Sequence, residues 1–275
     1  MVKFIHLSDL HIHGEMSKPD NQSAKKIVDF IVKRYETAKA LERPVILLTG
    51  DIVDDGKEEQ YQQAKKILRP LIKKGFKVLA CPGNHDYGRY GIKYEIAAQE
   101  RFQKFILYDL LKREGVKKTG VALPDLYPMK TQEREVVFVG LDSMAGNEGE
   151  ILQLARGNVG ERQRNALSKI LRETKPGEKV VVYFHHHPFY RNLIKRVALE
   201  LEDAKDVMAI LSSRANFVCF GHKHVSECWP SVGQIDWVIA SGKSTERNGQ
   251  YKFEFREVRI AGDDNEVSKV TFKRD

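Results

Sequence analysis

Cysteine is scarce in this chain. Cys81, Cys219 and Cys228 are the three among 275 residues, an odd set with no Cys-x-x-Cys pair, which excludes a disulfide framework and a thiolate metal site. They read as free thiols in a reducing compartment. Long apolar runs are missing too, and none approaches the roughly 20 residues that span a bilayer. The opening Met-Val-Lys-Phe-Ile-His-Leu-Ser-Asp lacks the apolar centre and small-residue cleavage site of a leader peptide and reads as a strand. A cytoplasmic location is therefore expected. Internal repeats, low-complexity tracts and linker-like stretches are absent, so one domain over residues 1–275 is expected. Acidic residues are in deficit, 38 against 46 Lys and Arg, for a net charge of +8. That excess favours anionic partners such as nucleotides, nucleic acid or an acidic membrane surface without choosing among them, and an ordinary solvated surface accounts for it too.

Short apolar runs alternate with longer amphipathic segments, the pattern of strands and helices layered on a common sheet. Strands are expected at Val2–Leu7, residues 45–48, 76–80, 136–141 and 180–184, and Phe217–Phe220. Helices are expected over residues 21–41, 58–74, 92–111, 161–174 and 199–211. In the first of these, Ala24, Ile27, Val28, Ile31 and Tyr35 recur at helical spacing. Residues 115–130 are too rich in turn formers to assign. Runs at Ile235–Ala240, Tyr251–Ile260 and residues 267–272 read as an antiparallel ending, which makes the sheet mixed.

The chemistry-bearing residues fall just after strands, where an α/β sheet opens its crevice. In order they are Asp9-Leu10-His11, Gly50-Asp51-Ile52-Val53-Asp54, Gly83-Asn84-His85-Asp86, His185-His186-His187-Pro188 and Gly221-His222-Lys223-His224. Each supplies oxygen or imidazole nitrogen, donors suited to Zn, Mn or Fe. Eight of the nine histidines lie on the first strand or in these segments, and the ninth, His13, stands two residues past His11. One Asp-x-His alone would be ordinary packing or surface, whereas five such segments in series are not. Gly50, Gly83 and Gly221 directly precede candidate ligands, where a sharp turn or close approach excludes a β-carbon.

The series D-x-H, G-D-x-x-D, G-N-H-D, H-H-P and G-H-x-H over residues 9–224 resembles the calcineurin-like metallophosphoesterase family. The resemblance implies a four-layer α/β/β/α sandwich with mixed sheets and a dinuclear metal site at the strand ends. It implies two divalent ions (Mn, Fe or Zn) and phosphoester hydrolysis by a metal-bridging hydroxide. By motif position Asp9, His11, Asp51 and His224 would hold one ion, and Asp51, Asn84, His186 and His222 the other. Asp51 would bridge them, fixing their separation near ~3.5–4 Å. Three histidines precede Pro188; His186, two residues before it, takes the ligand's place in the motif. His187 would then line the site as a substrate contact, with packing an equal alternative, and His185 would point the other way. His85 resembles the family's non-ligand histidine that contacts phosphate and protonates the leaving oxygen, with Asp86 orienting it. Asp54 is an outer-shell candidate or a solvent-facing carboxylate.

Substrate choice lies in the loops. Tyr87, Arg89 and Tyr90, then Arg156-Gly157-Asn158, then Tyr190-Arg191 sit in connections that reach the mouth of such a site. Tyr87, Arg156 and Arg191 are the expected substrate contacts, since arginine binds phosphate bidentately and tyrosine stacks on a base; solvated surface is the alternative for each. About fifty residues follow His224, too few for the capping domain of the double-strand-break repair nucleases, so DNA is not the expected substrate. Gly140-Leu141-Asp142-Ser143 and Arg156-Gly157-Asn158 are similar to the class III cyclic-nucleotide phosphodiesterase branch, which implies a small diester such as a 3',5'-cyclic nucleotide. A nucleotide-sugar-lipid pyrophosphatase with peripheral membrane contact is a rival, favoured by an apolar flap near residues 92–111. A non-catalytic metal-binding scaffold for protein partners is another, and the complete ligand series argues against it.

Overall fold

The computed structural model describes residues 1–112, 121–145, 156–189, 199–245, 251–262 and 264–273. The apolar runs become strands and the amphipathic segments become helices. In chain order they are β1 (Val2–Leu7), α1 (Pro19–Arg34), β2 (Val45–Thr49), α2 (Glu58–Lys73), β3 (Val78–Cys81) and the short β4 (Gly88–Arg89) and β5 (Lys93–Tyr94). Next come α3 (Ile96–Arg101), a π-helical stretch (Phe102–Leu110), β6 (Met129–Glu133), β7 (Val136–Gly140), α4 (Glu161–Glu173) and β8 (Lys179–Tyr183). The described chain closes with α5 (Ala204–Leu211), β9 (Phe217–Phe220), β10 (Glu227–Val232), β11 (Ile235–Ala240), β12 (Tyr251–Ile260) and β13 (Glu266–Lys273).

Two mixed sheets form, ordered β13-β12-β1-β2-β3 and β10-β11-β9-β8-β7-β6. In the first sheet β1, β2 and β3 run parallel, with β3 at one edge and antiparallel β12 and β13 towards the other; in the second, parallel β7, β8, β9 and β11 form the centre, with antiparallel β6 and β10 at the edges. Phe4 bridges the sheets edge-on to Phe138 and Phe217, with centroids 6.0 and 6.1 Å apart. One apolar core joins α1, α2, the first sheet and the inner face of the second; the other lies between the second sheet's outer face and α4 and α5. The result is four layers, helix, sheet, sheet, helix. Along β8 the period-two alternation of a strand sends Val181 and Tyr183 into the inter-sheet core and Val180 and Val182 into the outer one.

Differences from the expected elements have local causes. The segment expected as a helix over residues 92–111 uses Lys93–Tyr94 for a two-residue ribbon with Gly88–Arg89 before turning helical. The first helix stops at Arg34, with a separate short turn at Ala40–Glu42. The unanticipated β10 is a half-exposed edge strand carrying Pro230, and proline, which cannot donate to a ladder, is tolerated at an edge. No described helix is long and apolar enough to cross a membrane.

Candidate dinuclear metal site

The carboxyl ends of β1, β2, β3, β8 and β9 converge, and backbone hydrogen bonds lace their loops together. Asp9 N–H donates to Gly50 O at 3.1 Å, His11 N–H to Asp51 O at 3.0 Å, and Gly221 N–H to His185 O at 3.0 Å. The two sheets are joined where His222 N–H donates to the Asp9 carboxylate at 3.1 Å. Five chemistry-bearing residues are held in the left-handed backbone region: Asp9 (φ 54°), His11 (44°), Asp51 (49°), His222 (75°) and His224 (56°). That region costs an L-residue roughly 1–2 kcal/mol, a strain that gathers at functional sites. Gly50 and Gly221 make the crowding possible. Gly50 is itself left-handed at φ 86°, and a β-carbon there would strike the His185 ring; one on Gly221 would overlap Ser8 and the Asp9 carboxylate.

Two donor pockets result. In one, His224 Nε2 lies 3.4 Å from Asp9 Oδ1 and 3.2 Å from His11 Nε2, and His11 Nε2 is 3.8 Å from Asp51 Oδ2. In the other, His185 Nε2 lies 3.2 Å from the same Asp51 Oδ2, 3.0 Å from Asn84 Oδ1 and 3.2 Å from His222 Nδ1. Asn84 Oδ1 is also 3.1 Å from His222 Nδ1. Imidazole nitrogens aimed at one another in pairs suit a shared cation, since two nitrogens about 2.1 Å from one ion stand about 3.2 Å apart at an angle of about 100°.

The electrostatics agree. Burial disfavours a charged His185, yet the Asp51 carboxylate, its hydrogen bond and Asp9 outweigh it and raise His185 to about 9. Burial likewise opposes ionised Asp51, but His185, His85 and His11 hold it well below the usual carboxylate range. His222 is pushed down to about 3 by burial, then by the charge of His185. Asp51 thus demands a positive partner, which a proton on His185 supplies and a divalent ion would replace. The oxygen and nitrogen donors fit two such ions.

Several expected site residues lie elsewhere. His186, the motif's choice, is not among the donors gathered with Asp51: its Nδ1 is 2.8 Å from Ser143 Oγ, and its ring packs against His222 and the backbone of Gly157. The alternation of β8 explains this, because Tyr183 and His185 continue the inward face while Phe184 and His186 continue the outward one. His185 occupies the place instead. His187 is buried against Phe220 and Trp229, with centroids 4.6 and 5.9 Å away, and burial brings it down to about 3. It packs and does not line the site. Tyr87 is fully buried with its hydroxyl on Asp142, so it offers no surface to a substrate. Arg156 holds Glu202 at 3.0 Å. Arg191 lies outside the described residues, as does Tyr190.

Asp86 does not orient His85. Its carboxylate accepts backbone N–H groups of Ile52, Val53 and Gly83 at 3.2, 3.1 and 3.0 Å, tying the β2 and β3 loops together. Burial, then the charge of Asp51, raises it to about 7. The orienting group is the Asp54 carbonyl oxygen, which accepts from His85 Nδ1 at 2.6 Å, while His85 N–H donates to Asp51 Oδ1 at 2.9 Å. The Asp54 carboxylate accepts from His11 Nδ1 at 3.1 Å, which leaves His11 Nε2 with its lone pair for the pocket. His6 bonds Thr49 at 2.8 Å within the core, and His13 lies 3.5 Å from both Asp20 and Asp54.

Facing mixed sheets whose joined strand ends carry paired donor pockets define a metallophosphoesterase fold. The chain belongs to the calcineurin-like phosphoesterase family, whose model matches residues 2–226. It is 33% identical over 105 residues to a protein of Moraxella catarrhalis (strain BBH18) described as a probable cyclic nucleotide phosphodiesterase. That match spans 38% of this chain and 34% of the relative's length. Among solved structures, a dimetal phosphatase from Danio rerio superposes with TM-score 0.66 at 13% identity, covering 99% of this chain and 98% of that one. A purple acid phosphatase from yellow lupin (Lupinus luteus) seeds superposes with TM-score 0.61 at 11% identity, covering 100% of this chain and 54% of that one. At such identities these two likenesses speak for the fold.

Proposed function

We propose that the protein hydrolyses small phosphodiesters, 3',5'-cyclic nucleotides among them, using two divalent ions (Mn, Fe or Zn) seated around Asp51. The observation that carries the reading is the single Asp51 Oδ2 facing both His11 Nε2 and His185 Nε2. Asp9, His11, Asp51 and His224 would hold one ion, and Asp51, Asn84, His185 and His222 the other. When bound, the ions supply a water acidic enough to attack phosphorus near neutral pH and offset charge on the phosphoryl oxygens. The chain's own residues do the rest. Asn84 Nδ2 donates to Gly91 O at 3.4 Å, turning Oδ1 into the pocket. His85 commits its Nδ1 to Asp54 O, which leaves Nε2 as the ring atom able to serve the leaving oxygen.

Likeness to the Moraxella relative supports a cyclic-nucleotide diester, and the free thiols support a reducing, cytoplasmic setting. Pairing of β12 with β1 supports one domain over the whole chain. Exposed Ile92 and Ile96 favour the second reading, a nucleotide-sugar-lipid pyrophosphatase touching an acidic membrane. The test is a hydrolysis panel on metal-loaded protein covering cyclic nucleotides, an aryl diester, an aryl monoester, a lipid-linked diphosphate and DNA. The diesters should lead. Faster cleavage of DNA, the monoester or the lipid diphosphate at physiological salt overturns the proposal.

A further inference from the structure

Beside the donor pockets, the β4–β5 ribbon turns apolar side chains outward. Tyr90 is 64% exposed and Ile92 53%, and Ile96 at the start of α3 is 69% exposed, whereas Tyr87 just before them is fully buried. Scattered exposed apolar groups are ordinary, but two on one short turn with a third close by at the start of α3 mark a contact surface. The turn is firmly held. Tyr90 N–H donates to Asp55 Oδ1 at 3.1 Å, and Asp55 is itself buried and bound by Lys57 at 3.1 Å. Gly91 accepts from Asn84 and lies so close to Asn84 and the His85 ring that a methyl group there would overlap both. Tyr90 therefore sits one Cα step, about 3.8 Å, from the residue that touches a proposed metal ligand and the proposed acid.

Two further features narrow what this turn meets. Tyr90 is left-handed at φ 57°, a conformation in which glycine or asparagine is less strained, so an aromatic ring is costly there unless it is used. Arg89 and Lys93 flank it, both exposed, which favours an anionic ligand. An aromatic face between cations beside a phosphate-cleaving site matches a nucleotide, with the base stacking and the phosphate entering the pockets.

We infer that Tyr90 is the stacking platform for the nucleobase of the substrate, so the ribbon recognises the base while the Asp51 pockets take the phosphate. This rests on the phosphodiesterase reading above. The probes are a nucleoside 5'-monophosphate and ribose 5-phosphate, titrated calorimetrically into Mn-loaded protein. Wild type should bind the nucleotide more tightly. Tyr90→Ala should weaken it about 5- to 150-fold, the range for removing a base-stacking aromatic, leave ribose 5-phosphate within about twofold and keep the metal content. Tyr90→Phe should bind as wild type does. Equal loss for both ligands, or no loss for the nucleotide, overturns the inference. The two readings fail separately: a Tyr90-dependent base preference in a protein that cleaves no diester leaves the stacking site standing and removes the activity, while diester cleavage with Tyr90→Ala indifferent to the base does the reverse.

Discussion

Replacing His185 and His186 one at a time should have opposite consequences, although the two are adjacent and both buried. His185 faces Asp51 Oδ2 at 3.2 Å with both side chains out of solvent. Removing one partner of a buried charge pair costs about 3–5 kcal/mol, so metal-free His185→Ala should lose stability on that scale. Loss of a group behind a ligand alone weakens metal binding roughly 10–100-fold, and loss of the ligand itself should exceed ~100-fold. His186→Ala removes the imidazole's hydrogen bond to Ser143 Oγ while the backbone N–H of residue 186 still donates to it, a cost of about 0.5–1.5 kcal/mol, with the donor pockets intact. The assay is elemental analysis after dialysis against limiting Mn, followed by urea unfolding in chelator. Circular dichroism controls for folding, and His185→Asn is a second variant. His185→Ala should retain at most one ion, and His186→Ala both. A His186→Ala protein short of one ion beside a fully loaded His185→Ala would refute the strand-parity argument.

Asp51→Ala should lose both ions, since its carboxylate faces both pockets; elemental analysis finding two ions retained in that variant would sink the shared-ligand model. His85→Ala should keep its metals and slow cleavage of a cyclic nucleotide by roughly 10²–10⁴-fold, the worth of general acid help. An aryl diester, whose phenolate leaves without a proton, should suffer less, and equal losses on both would point to phosphate stabilisation instead. Buried His6 and His187 are held at about 3, mainly by burial, against an ordinary histidine value of 6.5. The unfolded chain therefore takes up protons first as pH falls below about 6.5, and stability drains from there towards the folded values. At pH 5 each group should cost about 2 kcal/mol; urea unfolding that is flat from pH 7 to 5 contradicts this, and His187→Phe should remove its share of the slope.

The positions that carry the chemistry were readable from the chain itself, because each follows an apolar run and bears residues that strands do not favour. Asp9-Leu10-His11 and Gly221-His222-Lys223-His224 stand out for that reason. Side-chain direction was not readable. Every residue from Val180 to Tyr183 is buried, as in central parallel strands covered on both faces, so no polar alternation told which face met the other sheet. Counting back from Pro188 therefore chose His186 where packing chose His185. The same limit separated Tyr87 from Tyr90, whose exposure follows from the ribbon formed by Gly88–Arg89 and Lys93–Tyr94. It also left Arg156 free to be read as a phosphate ligand until folding brought Glu202 to it. The left-handed backbone of Asp9, Asp51 and His222 depends on contacts such as His222 N–H to Asp9, made by strands over two hundred residues apart in sequence, and local residue preferences carry no record of such a meeting.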